Sequence, residues 1–246
     1  GDTLVAGTGT SRATLLGNDH ANADNYYQIS AASLLGNNSI VGGAASDDFL
    51  QITGSNQTLS DSSFAQASGL NGLILSVGAN SITLGATAQS KFGSTVSLTG
   101  GYYGYDTINF SATTNKVYLD ASAGIYGDTI TAGTNDNTLI GGAAATANDL
   151  FIFTSGSNLS GASVVGGGGT DTLRLSANGQ TIALAPASTF DHLSSIEVFD
   201  LAGAGNNITL GAISAGIATI VGGTGPNTFD ASGYSSAPNA LTWNMN

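Results

Sequence analysis

Apolar positions in this chain come in short runs that alternate with polar ones. Leu73-Ile74-Leu75, Ile82-Thr83-Leu84, Val96-Ser97-Leu98, Leu173-Arg174-Leu175 and Ile196-Glu197-Val198-Phe199 are examples. They are rich in β-branched residues and are bounded by Gly, Asn, Asp and Ser, which is the pattern of short strands separated by turns. No long segment carries a helical period. Two pieces, Ser62 to Ser68 and Pro186 to Leu193, each have the makings of a turn or two of helix just before a strand, the second with proline early, where helices accept it.

The strand signal repeats. Asp2-Thr3-Leu4, Asp106-Thr107-Ile108, Asp128-Thr129-Ile130 and Asp171-Thr172-Leu173 share one form, and Asn137-Thr138-Leu139 and Asn227-Thr228-Phe229 are its asparagine versions. A longer repeat overlies the short one. Phe64, Asn80, Ile82, Leu84 and Gly85 reappear as Phe190, Asn206, Ile208, Leu210 and Gly211, while Asp48, Leu50 and Gln57 reappear as Asp171, Leu173 and Gln180. Residues 43–112 and 166–235 therefore read as two copies of one module within a continuous segment spanning residues 1–246. The chain starts and stops in the middle of repeat-like text, which reads as a segment of something longer.

Short strands punctuated by glycine at intervals that suit one coil predict an all-β fold, a parallel β-solenoid. Each coil stacks on the next through backbone hydrogen bonds and inward Leu, Ile, Val and Phe form a shared core. Asparagine suits the corners, because it tolerates left-handed backbone and its amide can ladder between coils. The rival is an antiparallel β-sandwich, whose tight turns favour Asn-Gly or Asp-Gly pairs; the dominant grammar here is different.

Composition narrows the function. Lys and Arg number 4 against 16 acids, for a net charge of −12, and only 8% of residues are charged. Arg12, Lys91, Lys116 and Arg174 are scattered, whereas phosphate binding needs clustered cations, so nucleic acid is not an expected partner. An acidic, oxygen-rich chain suits hard cations such as calcium better. There is no cysteine, which removes disulfides and thiolate metal sites. No apolar run reaches the length of a membrane span, and no basic region followed by an apolar stretch marks a signal peptide.

Gly166-Gly167-Gly168-Gly169-Thr170-Asp171-Thr172-Leu173-Arg174 fits Gly-Gly-x-Gly-x-Asp-x-U-x, with U a large apolar residue. This resembles the nonapeptide repeat of the RTX family of secreted bacterial proteins, of the surface-layer or adhesin type. The resemblance implies that the glycine half is a turn, the x-U-x half a strand, and that Ca2+ lies between turns of successive coils, held by the aspartate and by backbone carbonyls. It makes Asp171, with Gly167 and Gly169 in its turn, the first candidate metal site, followed by Asp106, Asp128, Asp48 and Asp2. Elsewhere the motif is degenerate: Ala132 to Ile140 loses two glycines and the aspartate, Gly222 to Asp230 has Asn227 for Asp, and Gly100 to Ile108 carries an extra residue. The bland alternative for each aspartate is a turn residue that bonds its own backbone.

Catalytic signatures are sparse. His20 and His192 are the only histidines, and no Gly-x-Ser-x-Gly elbow accompanies the Asp191-His192 pair. No enzyme is expected. The reading is a structural, partly calcium-ordered segment of a secreted cell-surface protein, an S-layer lattice element or adhesin spacer that associates with itself or with other surface components. Its alternatives are a solenoid that binds a glycan or protein, for which Tyr102, Tyr103 and Tyr105 form the one aromatic cluster outside ordinary strand positions, and an accessory repeat region of a secreted enzyme.

Overall fold

The computed structural model describes residues 2–6, 13–17, 24–35, 38–43, 47–182, 190–209, 216–232 and 241–245. All described strand pairs are parallel, and they stack as the β-solenoid that the pattern predicts, not as a sandwich. Two nine-stranded sheets form most of the stack, one from Thr3–Val5 to Leu193–Ser194 and the other from Thr58–Leu59 to Thr242–Met245. One carries, among others, Asp48–Thr53, Phe92–Thr99 and Asn137–Ile140; the other carries Thr107–Asn109, Leu150–Phe153, Thr172–Leu175 and Val198–Leu201. A third face is strand only towards the two ends, as two three-stranded sheets. Short helices such as Ala86–Gln89 and Gly156–Ser160 lie among the connections between the strands.

Residues with equivalent places in successive coils lie between 20 and 29 positions apart. The step changes from coil to coil, so no fixed nonapeptide period of the kind that Gly166 to Arg174 suggests runs through the stack.

Alternation in sequence becomes alternation in burial. In Asp48–Thr53 and Leu150–Phe153 every second residue is buried. The inward residues form columns in register: Ile82, Ile108, Ile130, Phe151, Leu173, Phe199, Ile220 and Trp243 succeed one another along one sheet. The first seven are at most 1% exposed. Along each column, every coil buries its apolar residue against the coils on either side, which is why one coil alone has no core.

The two modules recur in space with a rotation. Asp48–Thr53 belongs to one long sheet and its counterpart Thr172–Leu175 to the other, five coils and one further face along. The local structures still match. The Ala31 N–H donates to Gln57, the Gln57 N–H to Asn80 and the Asn80 N–H to Asp106. In the second copy the Gly156 N–H donates to Gln180, the Gln180 N–H to Asn206 and the Asn206 N–H to Asn227. The sequence piece Ser62 to Ser68 forms a 3₁₀ turn, Asp61–Phe64, followed by the strand Ala67–Ser68. Of Pro186 to Leu193, residues 186–189 lie outside the described residues.

Candidate functional site: a buried column of acids and amides

The aspartates singled out in the sequence stand mostly at one corner, just before strands of the second long sheet. Asp106, Asp128, Asp149 and Asp171 precede Thr107, Thr129, Leu150 and Thr172, and all four are at most 2% exposed. Each carboxylate Oδ1 accepts the backbone N–H of the corresponding residue one coil earlier. The Asn80 N–H donates to Asp106 at 2.8 Å, Asp106 to Asp128 at 2.8 Å, Asp128 to Asp149 at 2.6 Å and Asp149 to Asp171 at 2.7 Å. The Asp171 N–H closes the series on Glu197 Oε2 at 2.8 Å. The second oxygen is treated differently along the column. In Asp106 it accepts the Gly101 N–H and in Asp149 the Gly142 N–H, whereas Asp171 Oδ2 is buried without a partner.

Burial pushes these carboxyls upward from their ordinary range. Asp128 rises to about 8, with Asp106 and Asp149 as like-charged neighbours and only the Asp106 N–H in opposition. Asp171 is pushed up to about 7 and Asp149 to about 6, and Asp106 is raised against the N–H groups of Asn80 and Gly101. Asp61 shows the opposite outcome. Burial raises it too, but N–H donors from Ala88, Thr87 and Gly85, at the start of the helix Ala86–Gln89 one coil away, outweigh that and hold it below its ordinary value.

The other candidates lie apart. Asp48 is on the first long sheet; its Oδ1 accepts from Asn25 Nδ2 at 2.8 Å and from the Tyr27 hydroxyl at 3.1 Å, and its Oδ2 is buried without a partner. Burial first, then the Asp48 carboxylate, drives the Tyr27 hydroxyl well above its ordinary value. Asp2 is exposed ahead of Thr3–Val5. Gly167 and Gly169 have φ of 106° and 105°, and any Cβ there would run into backbone carbonyls of the preceding coil, Gly142 and Ala147 respectively. The four-glycine run is therefore a close-packed turn. It is tied down by the Gly168 N–H on the Gly142 carbonyl and the Thr170 N–H on Asn148 Oδ1.

Calcium takes six to eight oxygens. Among the described residues no three acidic or histidine side chains converge on one point. The Asp106–Asp171 carboxylates arrive one per coil and turn their Oδ1 atoms to N–H groups, leaving Asp171 a single spare oxygen. These residues do not fit a row of calcium ions. Asn137 and Asn227 are corners: Asn137 bonds Gly133 within its own turn, and Asn227 Oδ1 accepts the Asn206 N–H. The sequence reading omits three contributors, Asp149, Glu197 and Asp61. A step of about one coil from Asp128 would have found Asp149, 21 residues on.

Two tests separate corner from ligand. Asp171→Ala is expected to lower stability by about 1–3 kcal/mol, because the Asp149 N–H is left buried and unpaired, whereas Asp171→Asn keeps the acceptor and stays close to the parent. Millimolar calcium against excess EGTA is expected to leave the melting midpoint of the native chain unchanged by circular dichroism; a calcium-dependent rise blunted in Asp171→Asn would reinstate the ion.

A cluster of exposed tyrosines lies beside this corner. Tyr102, Tyr103 and Tyr105 are 49%, 51% and 64% exposed, and Tyr126 from the next coil packs on Tyr105 with ring centres 5.1 Å apart. No described helix is long and apolar enough to cross a membrane. No family model, curated protein or solved structure matches the chain.

Proposed function

We propose that the chain is a structural segment, a stiff solenoid spacer or lattice element of a secreted cell-surface protein. The observation that carries this reading is continuity. Apolar columns and hydrogen-bonded side-chain ladders run from coil to coil, so bending or opening one coil must break contacts on both sides of it. The acidic, cysteine-free chain, rich in Gly, Ala, Ser, Thr and Asn, suits an extracellular setting in which cohesion does not rest on disulfides. The ladder supplies the cohesion that the resemblance to calcium-bound repeats assigns to the ion.

Negative-stain electron microscopy of the purified chain, with limited proteolysis in parallel, tests the reading. Rods or ordered arrays and a protease-resistant core of nearly full length are expected. Flexible particles cut at many coils would reject a load-carrying role.

A second reading has its own observation, the tyrosines. Tyr102 and Tyr103 meet edge to face at 4.5 Å beside the Tyr105–Tyr126 pair, presenting hydroxyl-bearing rings of the kind that stack on neutral sugars. A glycan array on the native chain and on Tyr103→Ala/Tyr105→Ala checks it: binding lost in the variant, with melting unchanged, supports a glycan face, and no binding by either removes it.

A further inference from the structure

Asp171 and Asp48 hold equivalent places in the two modules, on different faces of the solenoid. They share one geometry. A Cβ at Gly166 would meet both Asp171 Oδ2 and the carbonyl oxygen of Ser195; a Cβ at Gly42 would meet both Asp48 Oδ2 and the carbonyl oxygen of Gly69. Ser195 and Gly69 both have positive φ, 52° and 66°. For serine that conformation is strained, yet it recurs where the twin has glycine, and in both copies the carbonyl oxygen and the carboxylate Oδ2 approach the same point. Both Oδ2 atoms are buried without a donor. Two acceptor oxygens facing one another repel, unless one of them carries a hydrogen.

In the second copy this unsatisfied oxygen lies in a column of stacked acids. Asp106 is faced by Asn80 and Asp128, Asp128 by Asp106 and Asp149, Asp149 by Asp128 and Asp171, and Asp171 by Asp149 and Glu197. Adjacent strands lie about 4.8 Å apart, so ionised neighbours would repel strongly at low local dielectric. None of the facing groups is cationic. Arg174 pairs with Asp200 on the outward side of its strand and Lys116 with Asp136 at the surface.

We propose that this column is a proton-binding site: Asp171 is held as the neutral acid, its Oδ2–H donating to the Ser195 carbonyl, and the stacked Asp106, Asp128 and Asp149 share its preference for the protonated form, so that the solenoid takes up protons from the medium as it folds. The upward displacement of all four carboxyls agrees with this geometry. Their folded-state values lie above the unfolded one, so the folded state binds more protons. The stabilisation is complete below about pH 4 and is lost as pH rises through the folded values of about 6, 7 and 8. Neutral asparagines already fill the same role at Asn80 and Asn206. Asparagine at Asp128 and Asp171 should therefore mimic the protonated column at any pH.

The experiment is a set of melting curves from pH 5 to pH 8.5 for the native chain, Asp128→Asn/Asp171→Asn, and Asp47→Asn/Asp230→Asn, which removes the same charge from exposed positions. The native midpoint is expected to fall by roughly 10 °C across the range. The column variant should lose most of that fall and melt above the native chain at pH 8.5, while the surface variant keeps the fall. A native midpoint that is flat or rises, or a fall abolished equally by the surface variant, overturns the proposal. Should the column variant not fold, proton counting decides. Refolding the native chain in weak buffer at pH 6.5 should take up about two protons per chain, and no uptake overturns it.

Discussion

Gly167→Ala is expected to destabilise the solenoid by about 2–5 kcal/mol, and Gly179→Ala by only about 1–2 kcal/mol, although both glycines have positive φ. The difference comes from the neighbours. Gly179 has φ of 65°, within the left-handed well that other residues can visit, and a Cβ there meets nothing within 4 Å. Gly167, at 106°, lies outside that well, and its Cβ would press on the Gly142 carbonyl of the preceding coil. That carbonyl already accepts the Gly168 N–H at 2.9 Å, so it cannot move away without breaking a bond between coils. Strain and overpacking thus act together at Gly167, and strain acts alone at Gly179. Urea unfolding by circular dichroism measures both as shifts of midpoint at constant slope. Equal costs at the two sites would mean that the glycine run serves dihedral freedom only and that the close approach of coils there adds nothing.

This pair of glycines marks how far the sequence could be read. The strands were legible because a half-buried strand imposes a period of two, and Leu173-Arg174-Leu175 shows it at once. The solenoid was legible because one strand-and-glycine unit recurs. The three-faced coil was not. Its steps vary between 20 and 29 residues, since turns of different length close the same coil. The motif at Gly166 to Arg174 named the corner but did not disclose the backbone N–H that its carboxylate accepts there. Spacing says where Asp171 sits along the strand, whereas the direction of its oxygens depends on the Asp149 N–H brought in from another coil. Asp149-Leu150-Phe151 reads as a looser relative of the repeat, but Asp149 follows Ala147-Asn148 in place of glycine and so is not singled out as a site residue. Glu197 sits within the apolar run Ile196 to Phe199 and read as a strand residue, although its longer side chain reaches the Asp171 N–H. Ser195 gave no sign at all, because a positive φ on serine is imposed by its surroundings.

Phe151→Ala is expected to cost about 3–5 kcal/mol, against less than about 1.5 kcal/mol for Phe151→Leu. Phe151 is fully buried and stands in register between Ile130 and Leu173, near the middle of the long column of inward residues. Removing its ring leaves a cavity with no side chain free to fill it, because the backbone positions above and below are fixed by parallel ladders on both sides. In a globular core such a loss is shared among neighbours in all directions. In a stack it falls on two interfaces only, those with the coils of Ile130 and Leu173, and the stack is there divided into two shorter arrays, each with fewer coils to stabilise its new end. Hydrogen exchange therefore gives the more telling readout. Amides of Thr129–Thr131, Leu150–Phe153 and Thr172–Leu175 should lose protection first, with the loss fading towards Ser81–Thr83 on one side and Thr219–Gly222 on the other. Uniform loss along the whole stack would mean that the coils unfold as a single unit, and a spacer of that kind would transmit damage at one coil to its full length.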